Sequence, residues 1–131
     1  HIVTDVYGRK RKEVSLFEVI GAVFPAGTLS GAPKIRAMEI IAELEQYRRN
    51  VYGGGIGFLH FNGNVQLAIV IRSAFFEKPA FQDSERTRVF IQAGAGVVYD
   101  SLPEKEYAEI QHKRASVVKV FEKNCNPQKG L

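Results

Sequence analysis

Apolar residues recur at the spacing of an amphipathic helix in three segments of the chain. The first segment covers roughly 13–24 and stops before Pro25, because the residue that precedes a proline avoids helical backbone angles. The second segment starts at Pro33 and extends to about 49, and the third extends over 101–123. The hydrophobic pattern therefore predicts three helices, with a glycine-containing loop between the first two.

Four further segments have the composition and patterning of β-strands, at 1–7, 53–61, 65–76 and 87–99. The Asn-Gly-Asn turn at 62–64 joins the second segment to the third, which is typical of a hairpin. We expect the polar, proline-containing segment 78–86 to be an exposed loop and 124–131 to be a flexible tail. Helices placed among antiparallel hairpins indicate an α+β fold, in which antiparallel strands pack against about three helices.

The third helix has a recognisable N-terminus. Ser101 precedes Glu104 by three residues, which is the spacing of a capping box. Pro103 falls in the first turn, where its missing N–H leaves no helical hydrogen bond unmade. We therefore expect Ser101 to cap this helix.

Two carboxylates and one ammonium fall on the apolar face of this third helix. Glu106, Glu109 and Lys113 project onto the same stripe as the apolar residues, which are Ile110, Val117, Val120 and Phe121. Because buried charge requires a partner, the stripe indicates a cation site at Glu106 and Glu109, with Lys113 available for an anionic ligand. Alternatively, the first turns overhang the edge of the domain and the glutamates are solvated. Periodicity alone leaves both interpretations open.

Glycine clusters at 27–31, 53–57 and 94–96 predict places where a ligand approaches the main chain closely. Two of them resemble nucleotide-binding loops, but neither motif is complete. A proline precedes Lys34 in the first cluster, and Tyr99 stands where the dinucleotide motif needs its last glycine. We therefore reject both nucleotide interpretations.

Arg72 follows the apolar run 69–71 in a segment that otherwise has the composition of a core strand. Such an arginine pairs either with a carboxylate of the protein or with one on a ligand. Together with Lys113, main-chain donors and the Thr28 hydroxyl, it suits a small polyanionic metabolite. Carboxylate oxygens are hard ligands, so the cation that fits this set best is magnesium.

Length and composition bound the remaining alternatives. At 131 residues the chain has the size of one domain, and its apolar runs fall short of the ~18 residues of a membrane span. The single cysteine excludes an internal disulfide framework and fits a reducing cytoplasm. The net charge of +4 includes the basic run 9–12, which is either a solvated turn or a contact for nucleic acid. Aromatic residues are not interleaved with this run, so we expect a solvated turn and no nucleic-acid partner.

Six segments of the chain resemble the chorismate-utilising enzymes, and most closely the large subunits (component I) of anthranilate synthase. The segments keep that family's order and spacing, at 25–34, 36–39, 52–54, 71–72, 92–96 and 100–109. The chain departs from the family pattern at Phe58, at His112 and in the longer loop 78–86. The resemblance covers nearly the whole chain. It implies that 1–131 is the C-terminal part of a chorismate-binding α/β sandwich, cut from a larger subunit.

The resemblance also implies roles for individual residues. His1 and Thr28 match catalytic positions, with His1 as the general acid that assists departure of the chorismate hydroxyl. Glu106 and Glu109 match magnesium ligands, and the family's remaining metal ligands lie outside this chain. The positions that match substrate-binding residues are Tyr52, Arg72, Gly94, Ala95, Gly96 and Lys113.

The implied activity is the magnesium-dependent lyase reaction of tryptophan biosynthesis, in which chorismate and ammonia give anthranilate and pyruvate. A glutamine amidotransferase subunit would supply the ammonia. The segment 92–96 favours anthranilate over the alternative product, 4-amino-4-deoxychorismate. An alternative of another class is a non-catalytic module that binds a partner or RNA through 9–12. We expect the isolated chain to be inactive and leave a homo-oligomer open.

Overall fold

The computed structural model describes residues 4–77 and 87–124 and confirms the α+β fold. In chain order its elements are α1 (Leu16–Val23), α2 (Gly27–Ser30), α3 (Lys34–Leu44), β1 (Gly55–Leu59), β2 (Val65–Ile69), β3 (Ala74–Glu77), β4 (Arg88–Ile91) and α4 (Pro103–Asn124). The predicted loop 78–86 and His1 lie outside the described residues. Of the predicted tail, Asn124 is the last residue of α4 and the rest lies outside the described residues.

Helix α1 begins with a capping box. The Ser15 hydroxyl accepts the Glu18 amide at 3.2 Å, and the Glu18 carboxylate accepts the Ser15 amide at 2.7 Å. These bonds satisfy amides that have no partner inside the helix, so α1 starts later than the predicted 13–24. The basic run 9–12 precedes the cap and is exposed, as predicted. The strand predicted at 1–7 is wrong over the described residues 4–7, which form no regular secondary structure.

The segment 25–33, predicted as a loop, contains the single helical turn α2. Ser30 is buried at the end of this turn, and its hydroxyl donates to Ala26 O at 3.2 Å. Helix α3 ends at Leu44, several residues before its predicted end. It stops there because Glu45 has an extended backbone, with ψ of 123°.

Strands β1 and β2 form the predicted antiparallel hairpin. His60 N donates to Asn64 O at 2.8 Å across the turn, and Gly63 takes the left-handed conformation with φ of 87°. Close pairing of the strands also requires a glycine at position 57. A Cβ on Gly57 would lie 1.8 Å from Gln66 O, so any side chain there would separate the strands.

The predicted continuous strand 65–76 is wrong, because the chain bends sharply between β2 and β3. Ile71 N donates to Ile69 O at 3.0 Å within this bend. Arg72 follows with φ of 53°, a left-handed conformation that residues other than glycine seldom adopt. Arg72 therefore lies at an exposed bend and not in a core strand.

Strands β3 and β4 form a second antiparallel pair, separate from the β1–β2 hairpin. The strand predicted at 87–99 is correct only at its start, since β4 ends at Ile91. Residues 92–98 continue without regular secondary structure and lead into α4. The glycine cluster 94–96 is thus part of a connection that runs beside this helix.

The described part of the chain buries little apolar surface. Val70 is the one buried hydrophobic residue among the residues described. Helix α4 packs against β4, and the rings of Phe76 and Phe121 meet edge-on at 5.6 Å. All five residues of β1 are nevertheless exposed, including Phe58. Large apolar surfaces of this kind are normally covered in a soluble protein.

Within the described ranges, no single helix is long and apolar enough to cross a membrane. Helix α1 and the stretch Gly27–Leu44 pass that test only when taken together, and they are bent by 44°.

Candidate substrate and metal site

Lys113 lies in the middle of α4 and reaches the glycine cluster 94–96. Its ammonium donates to Gly94 O at 3.1 Å and forms an ion pair with Glu109, one turn earlier in the helix. The Lys113 side chain is 22% exposed, whereas that of Glu109 is 51% exposed. The predicted inward orientation is therefore confirmed for Lys113, but Glu109 is half solvated, as the alternative interpretation required.

Tyr52 also lies close to Gly94. Its hydroxyl oxygen is 3.1 Å from the position that a Cβ on Gly94 would occupy. Tyr52 is itself fixed by a turn, in which its amide donates to Arg49 O at 2.9 Å. The fold thus brings together Tyr52, Gly94 and Lys113, three predicted substrate-binding residues that are distant in the sequence. Beside them lies a cavity of about 390 Å³, whose lining includes Gln92, Ile110 and Arg114.

Glu106 is held by Ser101 and is half-buried. The Ser101 hydroxyl donates to Glu106 Oε1 at 2.8 Å and accepts the Val98 amide at 3.0 Å. The predicted capping role of Ser101 is wrong, because its hydroxyl accepts the Val98 amide and not the Glu104 amide, and α4 begins only at Pro103. Ser101 is a poor cap here because its hydroxyl is engaged between the preceding loop and a carboxylate of the helix.

Glu106 and Glu109 offer carboxylate oxygens from successive turns of α4, and oxygen donors suit a hard cation such as magnesium. Their present contacts limit the fit. One Glu106 oxygen accepts the Ser101 hydroxyl, and Glu109 is paired with the Lys113 ammonium. No group of three or more acidic, histidine or cysteine side chains converges anywhere in 4–77 or 87–124. These two glutamates therefore fit part of a magnesium shell.

The remaining predicted site residues are less closely connected to the cluster of Tyr52, Gly94 and Lys113. Thr28 is exposed in the single turn α2, and Arg72 is exposed at the bend after β2. Neither makes a hydrogen bond to the cluster of Tyr52, Gly94 and Lys113 within the described part of the chain, and Arg72 has no carboxylate partner there. Ala95 is half-buried and Gly96 is exposed, next to Gly94 in the same connection.

Arg49 is a residue that sequence analysis missed. Its Nε donates to both carboxylate oxygens of Glu45, at 2.9 and 3.2 Å, and its Nη1 donates to Leu29 O at 2.8 Å. Hydrogen bonds from Arg49 hold the pKa of Glu45 below its usual value, and the same bonds raise the pKa of the guanidinium, although burial opposes both shifts. The four-residue spacing of Glu45 and Arg49 was visible in the sequence, but it indicated only a surface pair on a helix.

Residues 1–119 match the protein family described as chorismate binding enzymes. The chain belongs to the chorismate-binding enzyme family. The resemblance of its six motif segments to chorismate-utilising enzymes is therefore confirmed. Membership of an enzyme family also favours an enzymatic role over a nucleic-acid-binding module built on the run 9–12.

Within the chorismate-binding enzymes, the curated relatives that the chain resembles are named anthranilate synthase component 1. The chain is 52% identical over 122 residues to anthranilate synthase component 1 of Methanothermobacter thermautotrophicus, covering 93% of this chain and 25% of that protein. It is 48% identical to the Aquifex aeolicus protein of the same name, again over 93% of this chain and 23% of the relative. The chain thus spans about a quarter of the length of these relatives.

A solved structure gives the same result for the fold. The crystal structure of anthranilate synthase component I from Streptococcus pneumoniae matches with a TM-score of 0.66 at 41% identity. The match covers 84% of this chain and 23% of that one. The sequence and the fold are therefore both similar to those of anthranilate synthase component I.

Proposed function

We propose that this chain is the C-terminal part of an anthranilate synthase component I, a lyase that converts chorismate and ammonia to anthranilate, pyruvate and water. Its relatives of that name, about half identical over nearly the whole chain, support the proposal. The structural observation that carries it is the bond from Lys113 Nζ to Gly94 O beside Tyr52. This bond places three positions implied in substrate binding around one main-chain segment.

The charges in this chain suit a substrate with two carboxylates. Lys113 presents an ammonium beside Gly94, which lines the cavity, and Arg72 presents a guanidinium fork with no carboxylate partner among the described residues. Because Gly94 has no side chain, the Tyr52 hydroxyl comes close to its main chain, and its carbonyl accepts the Lys113 ammonium. Lysine would bind one carboxylate as a compact charge, and arginine would orient the other through two parallel hydrogen bonds.

In this proposal ammonia adds to the chorismate ring as the ring hydroxyl leaves, and pyruvate is then eliminated to give the aromatic product. His1 would protonate the departing hydroxyl, and Thr28 would lie near the reacting ring. Glu106 and Glu109 would hold magnesium together with ligands from outside this chain. When bound, the cation would neutralise and orient the ring carboxylate of the substrate. Ser101 would fix the orientation of Glu106, since it already donates to that carboxylate.

The proposal further includes a glutamine amidotransferase partner as the source of ammonia and a cytoplasmic location. The alternative product, 4-amino-4-deoxychorismate, retains the same substrate and the same amine donor. Identification of the product therefore decides between the two.

The test uses the full-length subunit that contains this chain, supplied with chorismate, magnesium and an ammonium salt. We expect anthranilate, identified by its mass and fluorescence, together with one pyruvate per product. Lys113→Ala should lower kcat/KM for chorismate by about 10- to 100-fold, as loss of a charged hydrogen bond implies. Lys119→Ala, an exposed position on the same helix, is the matched control and should leave kcat/KM unchanged. Unconsumed chorismate would refute the proposal, and a non-aromatic amino product would favour the alternative.

A further inference from the structure

Arg49 joins two segments of the chain that carry predicted site residues. Its guanidinium is bound on one side by the Glu45 carboxylate, at the end of α3. On the other side, its Nη1 donates to Leu29 O at 2.8 Å, twenty residues earlier in the sequence. The Arg49 side chain is 30% exposed, so these contacts are partly shielded from water.

Leu29 belongs to α2, the single turn that contains Thr28. This turn is stabilised by few bonds of its own, and Ala26 provides no side-chain cap at its start. The Leu29 side chain rests on Gly53, where a Cβ would come within 3.2 Å of Leu29 Cδ1. Leu29 is therefore held at its carbonyl by Arg49 and at its side chain by Gly53.

Arg49 also fixes Tyr52 through the main chain. The Tyr52 amide donates to Arg49 O at 2.9 Å, which closes the turn that leads into β1. One residue thus sets the position of the Thr28 turn through its side chain and the position of Tyr52 through its carbonyl.

The geometry points to Arg49 as a positioning residue, held by Glu45, that sets the Thr28 turn against the segment carrying Tyr52. The inference rests on the proposed function, because it concerns the residues that would surround chorismate. Only an arginine meets the demand, since one planar group must bind a carboxylate along one edge and a carbonyl along another. A lysine would keep the charge but could not hold both acceptors in a fixed geometry.

The test compares Arg49→Lys with a matched arginine on α3. Like Arg49, Arg36 forms ion pairs with glutamates, here Glu39 at 2.9 Å and Glu43 at 3.2 Å. Its side chain, however, is 58% exposed. In the full-length subunit, Arg49→Lys should lower kcat/KM for chorismate about 10- to 100-fold, mostly through kcat, because small displacements of positioned groups are costly. Arg36→Lys should stay within about twofold of the unmodified enzyme.

A double variant separates positioning from general stability. If Arg49 acts through the Thr28 turn, adding Arg49→Lys to Thr28→Ala should cost much less than it costs alone. Losses that multiply would overturn the inference, as would a lower melting temperature with kcat/KM unchanged.

Hydrogen exchange supplies a readout that does not depend on activity. The amides of Ser30 and Gly31 are bonded within the α2 turn, to Ala26 O and Gly27 O. They should exchange faster in Arg49→Lys than in the unmodified protein, while exchange in Arg36→Lys should not change. Unchanged exchange in Arg49→Lys would overturn the positioning role whatever the activity. Failure of the unmodified subunit to form anthranilate would instead overturn the proposed function and leave the exchange result to decide on Arg49.

Discussion

The Tyr52 hydroxyl stands 3.1 Å from the place where a Cβ on Gly94 would be. The carbonyl of the same glycine accepts a hydrogen bond from the Lys113 ammonium at 3.1 Å. Gly94 is therefore the point at which the turn before β1 and helix α4 meet, and its lack of a side chain lets both approach the same peptide.

Gly94→Ala should displace Tyr52, because the new methyl group would press on the phenol oxygen. We expect a loss in stability of about 1 kcal/mol or less, the low end for overpacked sites because the phenol oxygen needs to move only slightly, and a clear fall in kcat/KM for chorismate. Melting curves and steady-state kinetics of the full-length subunit measure the two effects. Adding Tyr52→Phe should restore part of the lost stability, since it removes the oxygen that the methyl group meets.

Gly21→Ala is the control for this substitution. No atom lies within 4 Å of a Cβ at that position, which is inside helix α1. Alanine should therefore be neutral or slightly stabilising there. Equal behaviour of Gly94→Ala and Gly21→Ala would show that the contact between Tyr52 and Gly94 is unimportant.

Glu106 and Glu109 of α4 should control magnesium binding. Glu109→Gln in the full-length subunit should weaken magnesium binding and abolish activity, because affinity for a hard cation follows the charge and number of its ligands. Glu106→Gln should have a similar or milder effect. Glu104→Gln, an exposed position in the first turn, is the control. Titration calorimetry with magnesium measures the change, and an unaltered magnesium response in both site variants would refute the assignment.

Arg72→Lys keeps the charge but removes the planar fork. If Arg72 binds a substrate carboxylate, kcat/KM should fall by a factor that corresponds to about 1.5–3 kcal/mol, the value of a charged hydrogen bond. Arg88→Lys is a suitable comparison, because Arg88 is 81% exposed and its ion pair with Glu77 is long, at 3.8 Å between Nη1 and Oε2. Near-normal kcat/KM in Arg72→Lys would refute the role of Arg72 in binding a substrate carboxylate.

The Glu45–Arg49 pair should make stability depend on acid pH. The pKa of Glu45 is lowered in the folded protein from its usual 4.5, mainly by hydrogen bonds from Arg49. The pair therefore stabilises the fold fully above about pH 4.5. This stabilisation declines as the pH falls further, through the lowered pKa of Glu45. Because Glu45 is 40% exposed, solvent screening keeps the contribution below about 1 kcal/mol. Denaturant unfolding between pH 6 and pH 3 should show a smaller decline in Glu45→Gln, and identical slopes would contradict this account.

The isolated 131-residue chain should be inactive and should associate with itself. Its β1 strand is exposed along its whole length, and exposed strands and apolar surfaces promote association. Sedimentation at several concentrations should detect this association. Steady formation of anthranilate by the chain alone, with chorismate, ammonium and magnesium, would show instead that these residues already contain a complete active site.

Much of the fold followed from patterns between near neighbours in the sequence. Helical periodicity located α4 and placed Lys113 on its inward face, and the Asn-Gly-Asn turn located the β1–β2 hairpin. These features depend on interactions within a few residues, which a sequence displays directly. The motif spacing likewise indicated the family, because it preserves the order of residues around a common site.

Other features depend on contacts between distant segments. The bend at Arg72 divides an apolar run that periodicity predicted as one strand, and α2 forms in a segment rich in loop-forming residues. The contact of Arg49 with Leu29 joins residues twenty positions apart, so no local sequence pattern indicated this contact. The sequence by itself determined the inward orientation of Lys113 on α4, the hairpin and the family. Only the tertiary structure decided which peptide Lys113 reaches and what Arg49 holds, because packing, and not local propensity, fixes those partners.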